Sequence, residues 1–308
     1  MESISLIAID LDGTLLTTAK TLAAEGAELL RQAYRRGIYV ILTTARNPFS
    51  VRLFCRELGI DHPVICSNGA QIWASPDGPA WVDLAMPREI ALVIARFADA
   101  HNWEIMTTIG LMTYMRQRPG QALGSLSPDR MVVATNADAI VGDPMRFLIF
   151  QPDAIEGIGS FCRSTLSGRC SIETWYNADG TLHSMGIFPT RANKGSALAF
   201  VTKRLGIDKG QVMAIGDNFV DLPMFRQARV SVAMGNAPDE VKQQATVVAP
   251  ENDAEGVAWA LRLYSNELDE GFFERFENDP RFLQCIQAAR ESLKAGKGIK
   301  FEDFKEKA

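Results

Sequence analysis

The sequence predicts an α/β protein built on a doubly wound, Rossmann-like parallel sheet, and three stretches carry that prediction. Leu6-Ile7-Ala8-Ile9, Ile38 to Leu42 and Val212 to Ile215 are continuous apolar runs rich in β-branched residues, as expected of strands buried on both faces. Each run ends in polar groups: Asp10 and Asp12 after the first, Thr43 and Thr44 after the second, Asp217 and Asp221 after the third. Open sheets of this class bind ligands beyond the carboxyl ends of their strands, so these tips converge on one candidate site.

In the first stretch, Asp10 follows Ile9 directly. Side chains alternate along an extended chain, so Asp10 and Asp12 point one way and Leu11 the other, and Gly13 lets the backbone turn. Two acids so placed can divide the work of covalent catalysis, one as nucleophile and one as proton carrier. In isolation the same residues also read as an Asp-Gly turn with solvated acids. The run Asp10-Leu11-Asp12-Gly13-Thr14 resembles the first motif, D-x-D-x-T/V, of the haloacid dehalogenase superfamily. The resemblance implies that Asp10 is the nucleophile that becomes an aspartyl-phosphate, that Asp12 is the acid/base, and that Thr14 fills the last motif position. Having a second acid at position 12 implies phosphoryl transfer rather than dehalogenation.

Composition narrows the class. A chain of 308 residues with 47% apolar content can bury one sizeable core or two smaller ones, and two domains are expected. A net charge of -5 argues against a general nucleic-acid binder, which needs a basic face to release counterions. The cysteines, Cys55, Cys66, Cys162, Cys170 and Cys285, are odd in number and lack C-x-x-C spacing, so they read as reduced thiols. His62, His101 and His183 lie too far apart in sequence to suggest zinc. The first strand starts close to Met1, leaving no room for a signal peptide, and no apolar run approaches the ~20 residues of a membrane span. A cytoplasmic protein with no membrane partner is therefore expected.

The remaining elements follow in order. Leu22 to Gly37 has helical spacing with a glycine stop, and the strand after it ends in Thr43-Thr44-Ala45-Arg46. Related phosphatases carry T-G-R there, which implies that Thr44 hydrogen-bonds the transferring phosphoryl group; Ala45 replaces the usual glycine. A helix from Pro48 to Leu58, closed by Gly59, leads to a strand at Val64-Ile65-Cys66. Ser67-Asn68-Gly69-Ala70 then resembles a recurrent feature of the Cof-type sugar-phosphatase branch, although Asn-Gly alone is a turn signal. From about Asp83 to Pro189 the pattern changes, with a helix at Glu89 to His101 and an extended stretch at Met145 to Phe150. An insert of this size resembles the large α/β cap of that branch, which would close over the cleft and help choose the substrate.

Core motifs resume at Asn193-Lys194-Gly195, opening a helix that runs to Leu205-Gly206, and Lys194 stands where the family has its motif-three lysine. The run Gly216-Asp217-Asn218-Phe219-Val220-Asp221 resembles the G-D-x-x-N-D signature, which implies that Asp217 is a metal ligand and Asp221 a supporting carboxylate. Val220 stands where that signature has Asn, and Asn218 is the nearest substitute. Val232 to Ala237 and Asn252 to Val257 resemble the closing segments of the branch. The expected division is a catalytic core at 1–82 and 190–265, a cap at 83–189 and an extension at 266–308. In the extension, Asp279-Pro280 starts a helix whose Phe282, Leu283, Ile286, Ala289 and Leu293 share one face, with Gly296 as the stop. That stripe is expected to pack on the protein's own core, on a second copy or on a partner.

Convergent acids need compensation. At an effective dielectric of ~20, a like-charge pair ~4 Å apart costs about 4 kcal/mol, more than Lys194 alone offsets. An all-oxygen site suits Mg²⁺, and the resemblance implies Asp10, Asp12 and Asp217 as its ligands. By the resemblance, Thr44, Lys194 and main-chain N–H groups around Leu11 hold the phosphoryl oxygens. The expected activity is a Mg²⁺-dependent phosphatase of small phosphorylated metabolites, with hexose and pentose phosphates ahead of phosphorylated cofactors such as pyridoxal phosphate. A phosphomutase of the same superfamily is one alternative, and a catalytically weakened phosphosugar-binding or interaction protein is another because of Val220 and the C-terminal extension. A receiver-type signalling domain lacks D-x-D-G-T and is far shorter.

Overall fold

The computed structural model describes residues 3–116, 127–176 and 181–264. The chain opens with β1 (Leu6–Ile9), α1 (Ala24–Arg35), β2 (Tyr39–Leu42), α2 (Pro48–Leu58) and β3 (Val64–Cys66). A hairpin of β4 (Gln71–Trp73) and β5 (Ala80–Asp83) pairs with β3. Next come α3 (Arg88–Ala100), β6 (Met106–Ile109), β7 (Met112–Arg116), β8 (Arg130–Val133), β9 (Arg146–Ile149), α4 (Pro152–Thr165), β10 (Ser171–Tyr176) and β11 (Leu182–Phe188). The chain then returns through α5 (Lys194–Leu205), β12 (Val212–Gly216), α6 (Leu222–Phe225), β13 (Val230–Ala233), α7 (Asp239–Lys242), β14 (Val247–Val248) and α8 (Gly256–Leu263).

The central sheet has the order β14-β13-β12-β1-β2, and all its pairs are parallel. A parallel bridge between Thr43 and Ile65 sets β3 beside β2. Alternation along the strands supplies two cores. Ile7 and Ile9 of β1, with Val40, Leu42, Met213 and Ile215, pack against α1, α2 and α8. Leu6 and Ala8, with Ile41, Val212 and Ala214, pack against α5, α6 and α7. Helices on both faces explain the unbroken apolar runs, because neither face of these strands meets water.

Local signals fix the helix ends. Asn47 caps α2 by accepting from the Ser50 N–H at 2.9 Å, Pro48 occupies the first turn and Gly59 closes the helix in the left-handed region at φ 68°. Asn193 caps α5 in the same way through Ser196, and Gly206 ends it. One start differs from expectation. The periodic pattern suggested a helix from Leu22, but α1 begins at Ala24 because Leu22 is held in an antiparallel bridge to Leu16. Tertiary pairing overrides the helical spacing there.

The inserted residues form a second sheet of order β10-β11-β9-β6-β7-β8 with α3 and α4 on one face. Its opposite face meets the loops at the tips of the central sheet. Arg146, buried at the start of β9, donates to the Ala45 carbonyl and, at 3.1 Å, to the Thr108 hydroxyl. Asn47 Nδ2 reaches back to Asp129 at 2.9 Å and to Thr113 at 3.3 Å. Among the described residues, no helix is long and apolar enough to cross a membrane. The helix expected from Asp279, like the rest of the extension at 266–308, lies outside the described residues.

Candidate active site

Asp10 continues the β1 ladder, its N–H donating to the Ile215 carbonyl at 3.0 Å, so its side chain emerges where β1, β2 and β12 end. The carboxylate is buried, with Oδ1 accepting from the Leu11 N–H at 2.7 Å and paired with Lys194 Nζ at 2.9 Å. Lys194 is 1% exposed and also contacts Asp221 Oδ1 at 2.6 Å. Burial works against its charge, but Asp10 and Asp221 outweigh burial and raise its pKa. The lysine is a fixed buried cation because two carboxylates face it.

Asp221 fills a structural place as well. Its Oδ2 accepts the N–H groups of Asp217 and Asn218, each at 3.0 Å, which folds the short helical turn Phe219–Asp221 under the end of β12. Thr14 Oγ donates to Asp217 Oδ1 at 2.8 Å. Gly13, at φ 80°, brings the first loop against that carboxylate, where a Cβ would collide with it. Ligand oxygens of Asp10, Asp217 and Asp221 all lie within 4.8 Å of one another. Burial, opposed by Lys194 and reinforced by Asp221, pushes the Asp10 carboxyl up to about 7. Burial and the charges of Asp10 and Asp221 raise Asp217 well above the ordinary carboxylate range. The cluster is short of positive charge, and its hard-oxygen donors fit a divalent cation.

The Asp12 carboxylate stands outside that three-acid group. The reason is a pair of cations. Arg46 grips it through Nε at 2.6 Å and Nη2 at 2.8 Å, and Lys20 Nζ reaches it at 3.0 Å. Burial pushes Asp12 up, but the Arg46 fork and Lys20 prevail and hold it at about 2. The third acid of the cluster is Asp221.

Thr44 is buried at the tip of β2, its hydroxyl accepting from the Arg46 N–H at 3.1 Å. The side chain of Asn218 is engaged by the Phe219 N–H at 2.8 Å, and Val220 is buried and offers no polar group. The structure thus gathers Asp10, Leu11, Thr14, Lys194, Asp217 and Asp221 directly, with Thr44 and Asp12 joined through Arg46. Sequence reasoning gave Arg46 no role; its place at the end of Thr44-Ala45-Arg46 was the available signal. Ser67, Asn68 and Gly69 all have positive φ and press against the start of α5, where a Cβ on Gly69 would strike the Asn193 backbone. That turn fixes where Lys194 begins its helix.

At the tip of the first strand of a parallel-sheet core, a buried carboxylate carries a buried lysine and adjoins a polar cluster beneath an inserted α/β unit. The chain belongs to the haloacid dehalogenase-like hydrolases, whose family model matches residues 7–261. It is 31% identical over 284 residues to phosphatase YwpJ of Bacillus subtilis (strain 168), covering 83% of this chain and 98% of that one. It is 30% identical over 261 residues to 5-amino-6-(5-phospho-D-ribitylamino)uracil phosphatase YcsE of the same organism, covering 84% and 95%. A solved haloacid dehalogenase-like hydrolase from B. subtilis superposes with a TM-score of 0.72 at 26% identity, covering 84% of this chain and 99% of that one.

Proposed function

We propose that the protein is a Mg²⁺-dependent phosphatase of small phosphorylated metabolites, sugar phosphates foremost, working through an aspartyl-phosphate on Asp10. The observation that carries this reading is the Asp10 carboxylate, buried at a strand tip, with Lys194 on one oxygen and the Asp217–Asp221 acids beside it. The similarity to a phosphatase named for a phosphorylated ribityl compound supports a small phosphorylated substrate.

Asp10, Asp12 and Asp217 are the residues that would hold the cation, with Asp221, whose oxygens already meet Lys194 and two N–H groups, supporting them. When bound, Mg²⁺ would supply positive charge to the substrate phosphate and let neighbouring carboxylates remain ionised. The chain's own groups perform the rest. Lys194 holds negative charge on Asp10, which attacks phosphorus in line as the bond to the leaving oxygen breaks. The Leu11 N–H, Thr44 hydroxyl and Lys194 ammonium hold the phosphoryl oxygens by fixed electrostatics. Asp12, ionised in the free site, relays to the leaving oxygen the proton that a singly charged substrate phosphate brings, then takes one from the water that hydrolyses the acyl-phosphate, a contribution of ~10²- to 10⁴-fold. Arg46 keeps its carboxylate oriented for both transfers.

The test is hydrolysis of p-nitrophenyl phosphate by the full chain with Mg²⁺. Turnover is expected to cease on chelation with EDTA and return with added Mg²⁺, and Asp10→Asn is expected to abolish it. Acid quenching is expected to trap phosphate on the wild type but not on the variant. Full activity in Asp10→Asn, with deamidation excluded by mass spectrometry, overturns the nucleophile. Activity indifferent to chelation after exhaustive dialysis overturns the metal.

A further inference from the structure

The face of the cap sheet turned toward the site carries side chains that the phosphoryl chemistry leaves unused. Ile172 of β10 packs into the cap core with Met185 and Ile187 of β11, so alternation puts Glu173 and Trp175 on the opposite face. Across the ladder, Glu173 stands opposite Gly186. Because Gly186 has no side chain, the indole of Trp175 lies over it: a Cβ there would come within 2.7 Å of the ring. Trp175 meets Phe188 edge to face, with ring centroids 6.3 Å apart and planes at 80°.

This aromatic pair sits over the site's own loops. Trp175 and Phe188 pack with Ala45, next to Thr44, with Ala70, next to the Ser67–Gly69 turn, and with Ala192, two residues ahead of Lys194. Glu173 is partly buried beside them. Burial pushes its carboxyl up, and the Lys194 ammonium is near enough to pull against that shift. Its hydrogen-bond contact among the described residues is the Ser171 hydroxyl at 3.4 Å, which leaves most of its acceptor capacity open. On the core side, Asn68 gives its N–H to the Thr44 carbonyl at 3.0 Å, while its buried Oδ1 has no partner among the described residues. The surroundings of the leaving group therefore offer one flat apolar wall and an excess of acceptors.

We infer that Glu173 and Trp175 form a leaving-group subsite that selects phosphomonoesters of rings bearing hydroxyl or amino donors. The inference rests on the phosphatase reading and names the substrate class of that same site. A ring lays its apolar face on the indole while its donors meet the Glu173 carboxylate. A leaving group that carries its own carboxylate meets Glu173 as a like charge and is disfavoured. Sugar rings and nitrogen heterocycles share the favoured chemistry.

Steady-state kinetics of the full chain with Mg²⁺ tests this on four phosphates. Glucose 6-phosphate and pyridoxal 5′-phosphate represent the two kinds of donor-bearing ring. p-Nitrophenyl phosphate is a ring without donors, and 3-phosphoglycerate is acyclic and acidic. The better donor-bearing ring is expected to exceed 3-phosphoglycerate in kcat/KM by at least about tenfold, and Glu173→Gln to lower its kcat/KM by about tenfold relative to p-nitrophenyl phosphate, mainly through KM. Glu173→Asp keeps the charge and is expected to recover part of the loss, Trp175→Leu to raise KM for ring substrates, and Glu156→Gln, on the exposed side of α4, to change nothing. A Glu173→Gln variant that leaves the substrate ratios unmoved, or that lowers all four equally, overturns the subsite, as does preference for 3-phosphoglycerate. Wild-type turnover of p-nitrophenyl phosphate tests the phosphatase reading separately. Its absence overturns that reading and the subsite together, whereas its presence with unmoved ratios overturns the subsite alone.

Discussion

Arg46 decides what Asp12 is able to do. Its guanidinium lies over the Phe54 ring at 5.0 Å and forks onto both Asp12 oxygens, so the carboxylate is oriented and held ionised near the nucleophile. Arg46→Met is expected to lower kcat about 10- to 100-fold, part of the range available to general acid–base catalysis. The pH profile supplies the sign. Arg46 helps hold the Asp12 pKa down at about 2, and without it the pKa rises toward the ordinary carboxylate value. The proton-accepting form is lost as pH falls through that pKa, so the acidic limb of kcat/KM should move to higher pH; an unmoved limb refutes the coupling. This pairing shows where sequence reading stops. Asp10, Thr14, Lys194, Asp217 and Asp221 were legible because each sits at a strand tip or helix start in a recognisable motif. The partner of Asp12 was not, because two residues 34 positions apart meet only through the turn after β2. Spacing says on which side Asp12 leaves the chain and nothing about which cation waits there.

At the scale of elements, β2 has a dependence that its apolar sequence hides. His62 Nδ1 accepts the Val40 N–H at 3.0 Å, and its ring lies against Tyr34 and Tyr39 at 4.6 and 4.7 Å. Burial lowers its pKa from 6.5 to about 4. Between those values the unfolded chain binds the proton and the folded chain does not, so this contribution is whole above about pH 6.5 and is lost progressively toward pH 4. The expected loss is about 2–3 kcal/mol over that window. His62→Gln should flatten the fall in Tm between pH 6.5 and 4 measured by differential scanning calorimetry, and an unchanged slope refutes the assignment. The central strands β1, β2 and β12 were legible because burial on both faces leaves no alternation to misread, whereas in the insert only β9 was read, as the extended stretch Met145 to Phe150. The start of α1 was not, since the Leu16–Leu22 bridge is a contact between segments rather than a property of either. The Ser67-Asn68-Gly69 turn could be read as a turn, but its task of seating Asn193 required the two halves of the core together.

In the molecule as a whole, the loop after β2 belongs to both sheets. It carries Thr44 and Arg46 toward the phosphoryl site, while the Ala45 carbonyl receives Arg146 and Asn47 reaches Thr113 and Asp129. Asn47→Ser keeps a helix-capping oxygen and removes the reaching amide. It is expected to raise KM severalfold while changing Tm little, with faster limited proteolysis in the cap; unchanged KM and proteolysis would show that Asn47 only caps α2. Another consequence follows from the ladder between β1 and β12, in which Ile9 lies opposite Ile215. Asp10 comes from one side of the insert, and Lys194, Asp217 and Asp221 come from the other. Closing so long a loop adds little to equilibrium cost but slows assembly, since non-local pairing must wait for the segments between to compact. The inserted sheet can gather its strands from nearer neighbours, whereas the central sheet closes across it. Recovery of catalysis during refolding should therefore trail the recovery of helical signal, because the acids and their lysine become neighbours only when that last long-range ladder forms.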